Sequence, residues 1–195
     1  IPLIEEGDNL VEIILTALER NKISLSNGNV LVIAQKIVSK SEGRYASLND
    51  IKPSQQAIDL SRETDKDPKL VQLILNESKE VVRYRKGVIV VENILGLIHA
   101  NAGIDKSNIK SDSNNPRVLL LPLNPDKSAT EIRKEILKKT KKKVGIIIND
   151  SSGRAWRNGI VGIAIGSSGA EVLSDLKGNL DLFGNTLEVT EVGKA

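Results

Sequence analysis

The chain has 195 residues, 39% hydrophobic and 27% charged, which is enough apolar matter for one packed domain and excludes a disordered chain. Aromatic residues make up only 2%, which argues against base-stacking nucleic-acid modules, and the absence of Cys and the single His exclude disulfides, thiol catalysis and Cys- or His-rich metal sites within this sequence. A formal net charge of +3 suits an anionic small ligand better than a nucleic-acid coat, and no run approaches the roughly 18 apolar residues of a membrane span, so a cytoplasmic protein with no nucleic-acid and no membrane partner is expected.

Asp8 stands ahead of Leu10, Ile14, Ala17 and Leu18, an apolar repeat at helical spacing, so a helix capped by Asp8 is predicted. Asn27-Gly28 marks a turn. Residues 30–38, VLVIAQKIV, read as one mostly buried strand, and SKSEGR as a polar loop after it. Ser54 caps a predicted helix ending near Arg62, and Asp67-Pro68 opens another with Leu70, Leu73 and Ile74 on one face. Residues 80–85 and 87–92 read as a hairpin around Lys86-Gly87. HANAGIDKSNI is too polar for a core element, residues 110–117 resemble a linker, and 118–121 form a short strand. Ser128 and Glu131 have capping-box spacing and open a helix to about Lys139. Residues 144–148 read as a strand ending in a loop at Asn149, and GIVGIAIGSSG and TLEVTEV add two strands. There is no internal repeat and no steady βαβ rhythm, so the class is α+β, with mixed sheets and interspersed helices.

The lysine run Lys138, Lys139, Lys141, Lys142 and Lys143 reads either as a solvated helix end or as a polyanion patch; without interleaved aromatics the helix end is favoured. Two polar loops are stronger candidates. One holds Asn101, Gly103, Asp105, Ser107 and Asn108; the other holds Asp150, Ser151, Ser152, Gly153, Arg154 and Arg157. Two carboxylates and a hydroxyl form an oxygen-only set that suits Mg²⁺ or Mn²⁺, with Arg154 and Arg157 to neutralise phosphate or carboxylate oxygens. On pattern alone the favoured reading is that Asp105 and Asp150 only shape Asx turns, because Asp is common in loops. Lys36, Lys40 and Arg44 mark a third stretch, a phosphate cradle or a solvated loop. Neither Walker nor dinucleotide glycine spacing is present. His99 reads as a structural donor rather than a catalyst, because no acid lies near it in sequence.

IPLIEEGDNL, GNVLVIAQKIVSKSEGR, NESKEVVRYRKG, HANAGIDKSNI, LLLPLNPDKSATEIR, VGIIINDSSGRAWRNGIVGIAIGSSG and DLFGNTLEVTEV follow one another through nearly all of residues 1–192. In this order they resemble the γ-glutamyl ligases that extend coenzyme F-420, the deazaflavin hydride carrier. NAGID-x-SN and D-[ST]-x-G-R-x-[WF]-R-x-G are the specific stretches. The resemblance implies a GTP-dependent ligase that phosphorylates the terminal carboxylate of coenzyme F-420-0. L-glutamate then displaces phosphate from the acyl phosphate, and a further glutamate is joined through the γ-carboxylate. It implies Mg²⁺ or Mn²⁺, a potassium ion, and a two-lobed subunit in an intertwined homodimer. Carried over by position, Asp105, Asp150 and Ser151 match metal ligands, Ser151 standing where Thr also occurs. Ile1, Pro2, Leu3, Ile4, Gln35, Lys36, Lys40 and Asn108 match nucleotide contacts. Arg154 and Arg157 are expected to assist charge neutralisation, and no general base is assigned.

Residues 1–195 read as a single ligase domain. Family members continue past LEVT, so part of the nucleotide site and one further metal contact are expected outside this sequence. Asp105 and Asp150 are expected to converge on one cation, their loops brought together by neighbouring strands of one sheet near a two-fold interface. Two other readings stand beside this one: a non-enzymatic anion- or RNA-binding module using the lysine run, and a related carboxylate–amine ligase with another substrate.

Overall fold

The computed structural model describes residues 1–195 apart from 113 and 155. In chain order the elements are α1 (Leu10–Arg20), β1 (Val30–Ala34), α2 (Gln35–Ser41), β2 (Tyr45–Ser47), α3 (Gln55–Thr64), α4 (Pro68–Asn76), β3 (Ser78–Arg85), β4 (Val88–Asn93), β5 (Ile98–Ala100), β6 (Arg117–Leu119), α5 (Pro125–Thr140), β7 (Gly145–Arg154), β8 (Arg157–Ser168), β9 (Leu173–Asp175) and β10 (Glu191–Gly193). The class is α+β with several small sheets, as the interspersed patterns predict.

β1 runs parallel to β7, Ala34 opposite Asn149, and β7 pairs antiparallel with β8. β3, β4 and β5 form an antiparallel sheet, while β2 with β6 and β9 with β10 form two-stranded ribbons. The buried apolar side chains gather in two clusters. In one, Leu10 and Val11 of α1, Val38 of α2 and Ile132 and Ile136 of α5 pack on Ile33, Ile146 and Ile148 of the β1–β7–β8 sheet. In the other, Ala57 and Leu60 of α3 and Leu70, Val71 and Ile74 of α4 cover Ile89 and Val91 of β4 and Val118 of β6. Each such side chain contributes about 1.5–3 kcal/mol through burial, and the two clusters hold the rigid frame on which the polar residues stand.

Several boundaries differ from the sequence reading, each for a local reason. The strand expected over 30–38 stops at Ala34, and α2 begins at once. Gln35, Val38 and Ser39 are its buried positions, a spacing of three and four that the apolar run conceals. The cap of α1 is Asn9, whose side chain accepts from Glu12 N at 3.1 Å, while Asp8 accepts from Glu5 N. α5 starts one turn before the capping box, because Asn124 caps it and Pro125 takes the first helical position. Ser128 lies inside the helix and donates to Asn124 O at 3.1 Å and to Glu42 Oε1. The loop expected at 149–154 is strand, because β8 pairs with β7 as far as Arg154. Of TLEVTEV, strand forms only at its end, in β10.

The turn between β5 and Asp105 is tightly specified. Asn101, Ala102 and Gly103 have φ of 53°, 56° and 72°, three left-handed residues in succession. A Cβ on Gly103 would lie 2.8 Å from Leu121 Cδ1, so both conformation and space demand glycine there. Holding Asn101 and Ala102 in this region costs on the order of 1 kcal/mol or more each. Two backbone hydrogen bonds of 2.9 Å then tie Asp105 to Leu119 of β6.

Candidate active site

Parallel pairing sets the C-terminal end of β1 beside the middle of β7, which runs on to Arg154 paired only with β8. Beyond Ala34 stand Gln35 and Lys36; beyond Asn149 stand Asp150 and Ser151. Crevices at such strand ends are where open α/β sheets take ligands, because the backbone diverges there while the strands beneath stay fixed. Lys36 and Lys40 lie one helical turn apart on α2 and grip the same loop. Lys36 Nζ donates to Ser107 Oγ at 2.8 Å and pairs with Asp105 Oδ2 at 3.1 Å. Ser107 Oγ in turn donates to Asp105 Oδ1 at 3.2 Å, and Lys40 Nζ donates to Asn108 O at 2.6 Å. A cleft of about 580 Å³ opens beside them, lined by Leu3, Ile4, Lys40, Tyr45, Asn108 and Arg117 among others. The Arg117 guanidinium sits 4.2 Å from the centroid of the Tyr45 ring.

Asp150 is the most enclosed acid of this group, its side chain 13% exposed. Burial pushes its carboxyl above the usual range, and the Asp105 charge pushes the same way; the Ser151 backbone N–H, His99 and Lys36 pull it down. His99 Nε2 lies 3.7 Å from Asp150 Oδ2. Burial lowers the imidazole below its ordinary range, with Asp150 opposing that shift. The acid that the sequence failed to place near His99 is therefore supplied by the fold.

The Asp105 charge is felt at Asp150, but the two acids do not stand on neighbouring strands of one sheet, as the sequence reading expected. Asp150 stands on β7, Asp105 beyond the β5 turn and hydrogen-bonded to β6; the packing of β5 on β7 and the reach of Lys36 bring them together. An enclosed carboxylate that feels a second one, with one ammonium paired to the second, is a site whose charge a further cation would relieve. The donors are oxygens, which suits a hard ion. Among the described residues no three His, Cys, Asp or Glu side chains are grouped to hold a metal by themselves. The described donors are thus an incomplete set; oxygen donors of this kind are those that Mg²⁺ takes together with substrate phosphate and water.

The remaining expected residues divide. Gln35 is buried; its Nε2 donates to Ser39 Oγ at 3.1 Å, and its Oε1 has no partner. Leu3 and Ile4 border the lysine cleft, whereas Ile1 and Pro2 lie against α1 beside Glu12 and Thr16. Ser151 gives Asp150 its backbone N–H, and as the next residue of an extended strand it faces the opposite side. Arg154 and Arg157 pair across the tip of the β7–β8 hairpin, where Arg154 Nη2 donates to Asn158 O. At about 3.3 Å per residue, that tip lies roughly 13 Å along the strand from Asp150. The lysine run closes α5: Lys139 pairs with Glu12 and Glu135, and Lys141 is the left-handed cap. Ser107 and His99 were not singled out as partners of the two acids; Ser107 lies within NAGID-x-SN, and nothing local in sequence signals His99.

Fold and site together define an α+β protein in which Lys36, Asp105 and Asp150 gather beside the paired strands β1 and β7. A family described as F420-0:Gamma-glutamyl ligase matches residues 1–195. A coenzyme F420:L-glutamate ligase of Methanocaldococcus jannaschii is 46% identical over 197 residues, spanning 100% of this chain and 75% of the relative. Proteins of the same description from Methanothermobacter thermautotrophicus and Methanococcus maripaludis (strain C6) are 42% and 47% identical, again over 100% of this chain and 75% of each relative. The chain belongs to the F420-0:gamma-glutamyl ligase family.

Proposed function

We propose that the protein is a GTP-dependent ligase that joins L-glutamate to coenzyme F420-0. The observation that carries the reading is the cluster of Lys36, Asp105 and Asp150 where β1 ends beside β7, in a chain of this family. The γ-phosphoryl group of GTP passes to the terminal carboxylate, giving an acyl phosphate and GDP. The glutamate amine attacks the acyl carbon, the new amide forms, phosphate leaves, and the amine proton goes to solvent. The same cycle on the product adds a γ-linked glutamate.

Three anionic reactants must be held together, so positioning and charge neutralisation carry the catalysis. Lys36 and Lys40 meet phosphate oxygens, Asn108 and the Leu3–Ile4 edge frame the nucleotide, and Gln35 offers its free Oε1 as an acceptor. Asp105 and Asp150 would hold Mg²⁺ or Mn²⁺, which would supply neutralisation of phosphate charge during transfer; the Ser151 hydroxyl, on the opposite side of β7, is not part of that pair. A potassium requirement enters through the family resemblance alone. Arg154 and Arg157, out at the hairpin tip, serve a substrate tail or the facing subunit of a homodimer. The reactants are water-soluble metabolites, consistent with a cytoplasmic enzyme, and among the described residues no helix is long and apolar enough to cross a membrane.

The test is GDP release measured with glutamate and coenzyme F420-0 each omitted in turn, with mass analysis of the product. Release that requires both, with a mass gain of one glutamyl residue, is the expected result. Asp150→Asn should lower turnover by orders of magnitude while leaving the melting temperature nearly unchanged. GDP release indifferent to glutamate, or near-normal turnover of Asp150→Asn at ordinary Mg²⁺, would remove the assignment.

A further inference from the structure

His99 is the single histidine of the chain and is 3% exposed. β5 carries it: Ile98 and Ala100 face outward, and His99 faces β7. Its ring is oriented by Asn93, the last residue of β4. Asn93 Oδ1 accepts from Leu95 N and from Leu97 N, both at 3.0 Å. Those two bonds fix which end of the amide is oxygen, so Nδ2 is the group that faces His99 Nδ1, at 3.2 Å. An amide NH₂ is a donor only, so Nδ1 must accept. The ring proton therefore sits on Nε2, and Nε2 points at Asp150 Oδ2 across 3.7 Å. That nitrogen has no hydrogen-bond partner in the structure although it is buried. A buried N–H left open is costly, and the acid set against it is Asp150, a carboxylate of the site. Gaps of this size at active sites close when substrate binds.

The geometry points to His99 as a positioning residue for Asp150: its Nε2–H, fixed by Asn93, holds Oδ2 and leaves the second carboxylate oxygen to face the cation and the nucleotide phosphates. This rests on the reading of Asp150 as a metal-facing acid. The β4–β5 turn, through Asn93, thereby sets the direction of a side chain on another sheet. Partners of this kind behind a liganding group change metal affinity or activity by about 10- to 100-fold when removed.

The test compares His99→Phe, which removes the donor, with His99→Gln, whose side-chain NH₂ can reach the same oxygen. Mn²⁺ binding in the presence of GDP is read from the free-Mn²⁺ signal by electron paramagnetic resonance, and kcat and KM for GTP are measured alongside. His99→Phe should weaken Mn²⁺ binding about 10- to 100-fold and lower kcat more than it raises KM. His99→Gln should restore both to within a few-fold. Melting curves fix a temperature at which each variant is folded; if His99→Phe does not fold, His99→Met takes its place. Unchanged Mn²⁺ affinity in a folded variant without the donor overturns the proposal, as does failure of His99→Gln to differ from it. Asp150→Asn separates the two ideas: if it abolishes Mn²⁺ binding while the donor-free His99 variant does not weaken it, only the positioning role falls. If Asp150→Asn also binds Mn²⁺ normally, the metal reading of Asp150 falls and the positioning role with it.

Discussion

Lys36 shows how much one side chain at the start of a short helix can organise. Its ammonium joins Asp105 and Ser107 at once, while Lys40 holds Asn108 O, so the loop that presents Asp105 and Asn108 takes its place relative to α2 through two cations. Such a partly exposed pair is worth only about 0–1 kcal/mol to folding, which separates its structural weight from its chemical one. Lys36→Gln should therefore leave the melting temperature within a degree or two. It should lower kcat/KM for GTP at least about tenfold, since the charge that meets phosphate and orders the Asp105 loop is gone. Steady-state GDP release and a thermal melt on the same sample decide it; a large fall in melting temperature with normal kcat/KM would make Lys36 a structural residue.

Between elements, the close approach of α5 to β8 limits what the frame tolerates. A Cβ on Gly166 would lie 2.5 Å from Pro125 C and 2.7 Å from Pro125 O, backbone atoms that cannot rotate away. Next to it, Asp126 Oδ1 accepts from Ser167 N at 2.7 Å, so the first turn of α5 is both packed on β8 and hydrogen-bonded to it. Gly166→Ala must push that turn outward, at a cost of about 1–3 kcal/mol, as overpacking generally does. For a chain of this size, that corresponds to a melting temperature lower by roughly 2–12 °C. Gly153→Ala is the control, since a Cβ there meets nothing within 4 Å and its φ is not left-handed. Equal melting temperatures for the two variants would mean that α5 shifts freely.

Across the whole molecule, the β7–β8 hairpin and the C-terminal stretch leave large apolar side chains open. Trp156 and Leu182 are 99% exposed and Phe183 is 90% exposed. Apolar side chains this large and this exposed are candidates for a contact face. In the proposed homodimer they are covered by the second copy, which also gives Arg154 and Arg157 a site to face. Sedimentation velocity should show a dimer, and Leu182→Ser with Phe183→Ser should shift it toward monomer and lower ligase activity together. A monomeric protein with full activity would remove the dimer from the mechanism.

The amino-acid sequence by itself determined the features that short-range forces govern. Asp67-Pro68 opens α4 and Ser54 caps α3 where their side chains predict, because a cap needs only the next two or three N–H groups. Asp105 and Asp150 stand out in sequence only as acids in polar loops, which on pattern alone favours Asx turns; it is the resemblance carried by NAGID-x-SN and NDSSGR that marks them as candidate oxygen ligands. The end of β1 at Ala34 was not legible, since an apolar run fits a buried strand and a buried helix equally well until packing chooses between them. Nor was Asp150 as a strand residue, whose conformation comes from the partner strand β8. Only the tertiary structure brought His99 to Asp150 and Lys36 to Asp105. Those approaches depend on β5 packing against β7 and on parallel pairing of β1 with β7, contacts between segments whose separation in the chain no local spacing encodes.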